Sequence, residues 1–455
     1  MNSRTGSCLV QLLALVILPC AGAAADDFLD GLDAFRNEDY ATALAKWQPL
    51  ADAGDPHAMF NIGLMYDEGL GVPVDKAKAL AYYMPAAEEG DVSAQFNVAT
   101  IYDFGVGVPE NDEQALYWYT QAARQADEQA QFNLGYMYAT GEGVETDVGA
   151  AVRWYKLAAD QGYAPAQYNL AYLYDVGQGV REDNALAMDW YLKAAEQGDA
   201  DAEYAIALMF DEGDGVVEDD VAAIEWYTRA ATQGHARAQF NLAIMYDLGE
   251  GVEENNADAV RWYTAAASQG HAEAQLNLGL MFENGEGVAK DYALALGWYR
   301  KAAEQGLPDA QYAVGLMYDE GIGVEEDNLA AIAWYRKAAE NGDALAQNNL
   351  GAMYDAGEGI EENDAEAIRW YRLAAEQGNA IAQNNLGAMY YTGEGTGRDR
   401  TEAYMWFLIA AELGNDDARD NRDIAARGMG RADVRKAERQ ASRWLETFDA
   451  ATLTH

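Results

Sequence analysis

The sequence predicts an all-α solenoid, about ten 36-residue helix-turn-helix repeats closed by a cap at each end. Three lattices of residues predict it. A glycine stands at 54, 90, 162, 198, 234, 270, 306, 342, 378 and 414, with Ala126 as the exception, and an alanine follows four residues later each time, from Ala58 to Ala418. A Gly-x-Gly pair recurs from Gly69 and Gly71 to Gly393 and Gly395. A Trp-Tyr pair recurs as in Trp118-Tyr119, Trp154-Tyr155 and Trp334-Tyr335, with Tyr82-Tyr83 and Trp406-Phe407 as variants. No insertion or deletion disturbs the register over residues 55–414. A length of 455 residues would otherwise suggest about three domains. A repeat array overrides that expectation, because its core grows with every unit.

Residues 1–25 read as a secretory signal. Arg4 supplies the positive charge, Leu9 to Leu18 the apolar stretch and Ala23-Ala24-Ala25 the small residues of a cleavage site before Asp26. The apolar run is too short to span a bilayer comfortably, so no membrane span is expected once the signal is removed. Both cysteines, Cys8 and Cys20, lie inside it. The mature chain would have no disulfide, no cysteine nucleophile and no cysteine metal ligand. Residues 26–54 read as a partial repeat or cap, with Trp47 and Pro49 matching Tyr83 and Pro85.

Each unit over 55–414 reads as two helices. In the third, Ala130, Leu134, Met137 and Tyr138 form an apolar stripe of helical period. Gly141-Glu142-Gly143 ends the first helix, since glycine tolerates the left-handed conformation of a helix end. Asp147, always Asp or Asn in the other units, is placed to cap the second helix. Ala151, Trp154, Tyr155, Ala158 and Ala159 continue it, the alanines where helices cross closely and the rings between units. Residues 415–455 read as basic capping helices: residues 419–443 carry eight basic residues against four acidic ones. Their charge also suits contact with an acidic neighbour.

The 76 acidic and 30 basic residues give a formal charge of -46. A polyanion of that size repels nucleic acid and anionic lipid surfaces. The acidity also suits a saline habitat, where it aids solubility. The loop Asp211 to Asp220 clusters carboxylates and glycines, a composition that can hold calcium. Its spacing is not that of a twelve-residue EF-hand loop. His235 and His271 share one repeat position, but a metal site of two histidines is rare, and no metal site is expected. No Ser-His-Asp spacing, nucleophile elbow or phosphate loop appears, and neither an enzyme nor a cofactor is expected.

The unit A-x-A-Q-F-N-L-G-Y-M-Y-A-T-G-E-G-V, closing in R-W-Y-K-L-A-A-D-Q-G, resembles the Sel1-like repeat, a relative of the tetratricopeptide repeat. The resemblance implies a right-handed superhelix whose first helices line a concave face, and an adaptor that binds proteins. It also brings a second reading. A cysteine-rich branch of the family is associated with penicillin binding and β-lactamase activity, but it carries paired cysteines that this chain lacks.

On that concave face the expected partner-binding residues are Phe96, Asn97, Asp103, Phe132, Asn133, Tyr136, Tyr168, Asn169, Tyr172, Asp175, Tyr204, Asp211, Phe240, Asn241 and Asp247. Rings interleaved with carboxylates suit a basic or amphipathic segment. The alternative is that the rings pack between neighbouring helices while the carboxylates face solvent. The mid-helix asparagines would hold a ligand's backbone, as in related peptide-binding repeats, or bond adjacent repeats. Export to the periplasm or beyond, and capture of a protein or peptide, are the functional expectations.

Overall fold

In the computed structural model, residues 23–452 are described; they form 24 helices and no strand. The signal assigned to residues 1–25 lies outside the described residues up to position 22, and Ala23 opens the first helix, Ala23–Arg36. That helix pairs with Tyr40–Asp52. Ten helix pairs follow, from Pro56–Glu68 with Lys76–Glu88 to Ala380–Thr392 with Arg400–Glu412. They are numbered units 1 to 10, each with an A and a B helix. Helices Asp416–Ala426 and Arg431–Thr452 end the chain. The fold is an all-α solenoid. By packing the described residues divide into two compact parts, those up to 233 and those from 234, in each of which every helix lies against its sequence neighbours.

Local chemistry accounts for the boundaries. Every B helix opens on the expected Asp or Asn, whose side chain accepts a backbone N–H two or three residues on; Asp147 takes that of Ala150 at 2.8 Å. A helices open in the same way on Asp, Asn or His, except at Tyr163 and Leu307. Side-chain caps of this kind satisfy donors that a helix leaves orphaned at its start. The A helix of unit 3, Glu128–Thr140, ends on Gly141 at φ 87°, whose N–H bonds Met137. Gly143 serves another purpose. A Cβ there would fall 2.6 Å from Cβ of Asp112, so the missing side chain lets the loop press on the preceding B helix.

The core repeats as the sequence repeats. Ala130, Leu134 and Met137 are fully buried, and so are the paired alanines of the B helices. Of the Trp-Tyr pair, the tyrosine is the deeper member. Tyr83, Tyr119, Tyr155, Tyr191, Tyr227, Tyr263, Tyr299, Tyr335 and Tyr371 rank among the largest fully enclosed side chains. Each lies flat against its own A helix at a position that must be small. A Cβ on Gly135 would meet the Tyr155 ring at 2.7 Å. Trp47 takes the equivalent buried place in the N-terminal pair and donates its indole N–H to Phe28 at 3.2 Å.

The caps close both ends with aromatic residues. At the C-terminal end Trp444 meets Trp406 edge-on at 6.0 Å and stacks on Phe448, while Ala437 and Ala441 are buried beneath.

Candidate functional site

The A helices carry every residue expected to meet a partner, and most of those residues are engaged within the fold. The ring column packs inward: Phe96 lies 5.8 Å from Tyr119, Phe132 5.6 Å from Tyr155, Tyr168 5.7 Å from Tyr191, Tyr204 5.9 Å from Tyr227 and Phe240 6.0 Å from Tyr263. In each case the partner is the buried tyrosine of the same unit's B helix. Phe132 is wholly buried, whereas Phe96, Tyr168, Tyr204 and Phe240 keep an exposed edge. Tyr136 and Tyr172, one turn along, are half-buried.

The acidic column is the counterpart of those tyrosines. Tyr119 donates its hydroxyl to Asp103 at 3.1 Å, Tyr191 to Asp175 at 3.1 Å, Tyr227 to Asp211 at 2.8 Å and Tyr263 to Asp247 at 3.2 Å. Tyr83 with Asp67, Tyr335 with Asp319 and Tyr371 with Asp355 repeat the bond. Asp67 and Asp103 are buried. Burial pushes the carboxyls of Asp175, Asp247 and Asp355 above the usual carboxylate range, although the tyrosine hydroxyl acts in the opposite direction. Unit 3 differs, with Ala139 in this column. The recurrent carboxylates therefore hold A and B helices together, a role that neither open groove nor simple solvation describes.

The asparagine column is mixed. Asn277 donates to the Tyr263 hydroxyl of the preceding unit at 3.1 Å, and Asn349 to Tyr335 at 3.2 Å, which are bonds between adjacent repeats. Asn133 and Asn169 are buried, while Asn97 and Asn241 are half-buried. Where the ring column turns polar, Asn385 bonds Asn348 and Asn421 bonds Asn384, again linking repeats.

The glutamine of A-Q-F-N was the column that residue chemistry alone left uninterpreted. Gln131 donates to the Ala123 carbonyl of the preceding B helix at 3.1 Å and accepts from Gln161, at the end of its own B helix, at 2.8 Å. Gln95, Gln167, Gln275, Gln311 and Gln347 make the same two bonds. One buried carboxamide thus ties three helices, using a donor and an acceptor at once. Its recurrence in eight of ten units was the available signal. In unit 5 the column holds Glu203, 3% exposed. There Arg229 binds the carboxylate at 2.9 Å and reaches the Ala195 carbonyl at 3.4 Å, while Gln233 donates to the other oxygen at 2.6 Å.

His235 and His271 are each engaged with their own helix. Each caps its own A helix, Nδ1 accepting from Ala238 at 3.1 Å and from Ala274 at 3.4 Å, and His271 also stacks on Phe240. Burial lowers the His271 pKa below its ordinary value, which favours the neutral ring that this acceptor role requires. In the loop 211–220, Asp211 takes the Tyr227 hydroxyl, Asp214 bonds Asn184 and Asp219 caps the next helix. Among the described residues no group of three or more His, Cys, Asp or Glu is placed to hold a metal ion, and no helix is long and apolar enough to cross a membrane.

Known proteins share this architecture. A protective antigen present in uropathogenic Escherichia coli strains, displaying an SLR fold, is 34% identical over 89% of this chain and 95% of its own, with a TM-score of 0.64. A Sel1 repeat protein from Oxalobacter formigenes is also 34% identical, over 67% of this chain and 88% of its own, with a TM-score of 0.54. No curated protein matches the chain. The Sel1 repeat profile matches ten consecutive segments, residues 56–91, 92–127, 128–163, 164–199, 200–235, 236–271, 272–307, 308–343, 344–379 and 380–415. These segments coincide with the ten helix pairs and their caps, buried tyrosines and glutamines, and the chain belongs to the Sel1 repeat family.

Proposed function

We propose that this chain is an exported, non-enzymatic scaffold that captures a protein or peptide along the outward side of its A helices. The fold is typical of protein–protein interaction scaffolds. The observation that carries the reading is where the recurrent polar groups go. Tyrosine hydroxyls, carboxylates and glutamines bond one another inside and between units, so the chemistry of each repeat goes into a stiff array rather than a reacting centre. Beside them runs a line of partly exposed apolar side chains at one repeat position, including Tyr136, Tyr172, Ile244 and Leu280. Acidic loops flank that line, which favours a basic or amphipathic segment. Residues 1–25 supply the export signal of this reading.

Charge reversal at Asp175 or Asp247 is a poor probe of the groove, because it would also break the bonds to Tyr191 and Tyr263. A photo-crosslinking residue at position 172 or 244, in the native host, is cleaner. Adducts from these sites are expected, with none from Leu157, an exposed B-helix residue. Adducts from 157 alone would overturn the groove. Hydrolysis of a chromogenic β-lactam by purified protein would overturn the non-enzymatic part.

A further inference from the structure

The basic residues of most of the chain are engaged. Lys193, Lys301 and Lys337 sit over Trp190, Trp298 and Trp334 at 3.6–3.7 Å, and Arg336 donates to the Tyr354 hydroxyl at 2.9 Å. The last helix differs. Arg431, Arg435, Arg439 and Arg443 recur every fourth residue, so they form one ridge about 18 Å long at 1.5 Å per residue. All four are exposed, and among the described residues none of their side chains has an ion pair or hydrogen bond. Like charges spaced by four residues destabilise a helix. The repulsion is tolerated because Ala437, Ala441, Trp444 and Phe448 anchor the opposite face.

The ridge fits an acidic surface, and an extended anionic one would be repelled by the rest of a molecule of charge -46. An acidic patch confined to one helix limits that repulsion, and the chain has one. Its first helix carries Asp26, Asp27, Asp30 and Asp33 around Leu29, which is 47% exposed. Asp26, Asp30 and Asp33 share one exposed face. Lys46 engages Asp27 and Asp30, and Arg36 lies 3.8 Å from Asp33, while Asp26 makes no ion pair among the described residues.

We infer that the arginine ridge of the last helix binds the acidic first helix of a second copy of this chain. The contact is heterologous, because it joins two different surfaces of the chain. At about 0.1 M salt the screening length is about 10 Å, which mutes repulsion between the bodies while leaving charges in contact effective. This inference is independent of the A-helix groove.

Sedimentation of the full chain at about 100 mM and 500 mM salt tests it. The expected result is a weight-average mass that climbs above that of one chain with concentration at the lower salt and returns to it at the higher. R435E/R439E should weaken association at least tenfold, as should D26K/D33K. A chain carrying all four changes should recover it, since the charges are exchanged. R435K/R439K should associate like the parent, and circular dichroism checks that each variant keeps its helices. A mass that stays at the monomer, or an association indifferent to either reversal, would overturn the contact. So would sedimentation with anionic vesicles through these arginines in a chain that never self-associates.

Discussion

Units 4 and 5 solve one problem with different residues. In unit 4 Gln167 offers an N–H to the Ala159 carbonyl and an oxygen to Gln197. In unit 5 Glu203 has only acceptors, so the donor must come from elsewhere, and Arg229 provides it to both the carboxylate and the Ala195 carbonyl. Arg229 also stacks on Trp226 at 4.1 Å, so its long side chain is held in place. Three helices are tied in both units, once by a neutral amide and once by a buried charge with its counter-ion. The difference teaches that the repeat conserves a pattern of donors and acceptors at this depth, and that residue identity follows from it. Removing one partner of a buried charge costs far more than exchanging both for neutral groups.

The largest effect should come from Arg229→Ala, which leaves the Glu203 carboxylate enclosed with Gln233 alone. We expect a loss of about 3 kcal/mol in urea unfolding, the low end of what a broken buried pair costs. A change below about 1 kcal/mol would mean that the carboxylate takes up a proton or water at little cost. Next is Tyr191→Phe, which removes the bond to Asp175 and leaves the ring in place. About 1 kcal/mol is expected, the net worth of one hydrogen bond, and no more than that because Asp175 can still turn towards water.

Ala126→Gly tests the one break in the glycine lattice and should stabilise. Ala126 adopts φ 68°, while Gly90, its equivalent, has open space where a Cβ would stand. The strain is therefore of backbone origin alone, and its release is worth about 1 kcal/mol. The smallest effect belongs to the double exchange Glu203→Gln with Arg229→Lys, which rebuilds in unit 5 the residues of unit 4, Gln167 and Lys193. We expect a change within about 1 kcal/mol; a loss as large as that of Arg229→Ala would refute the equivalence.

The buried carboxyls should add stability as pH falls through their raised folded values towards about 4. Asp175, Asp247 and Asp355 have folded pKa values raised by burial. Their contribution is fully present below the unfolded carboxylate value near 4 and is lost as pH rises through the folded values. His271, lowered by burial, acts oppositely: its contribution is present above about 6.5 and is lost as pH falls through its folded value. Urea midpoints at several pH values check the sign, and asparagine at positions 175, 247 and 355 should flatten the profile.

Periodicity was enough to place the helix pairs, their Asp and Asn caps, the glycine stops and the family, because each depends on local spacing and backbone conformation. Asp147 capping Ala150 was legible in this way. The depth of the acidic column was not. Asp175 and Tyr191 are 16 residues apart, and a carboxylate on a helix reads the same whether it faces water or a buried hydroxyl. The same holds for Gln131, whose two partners lie 8 and 30 residues away. For His235 and His271, one position in successive repeats left their role open, and capping geometry assigned each to its own helix. Sequence alone thus determined the unit and its register. Which face of each A helix is consumed in holding the array, and which stays open, was decided only when the hairpins packed, since burial is a property of neighbours and not of residues.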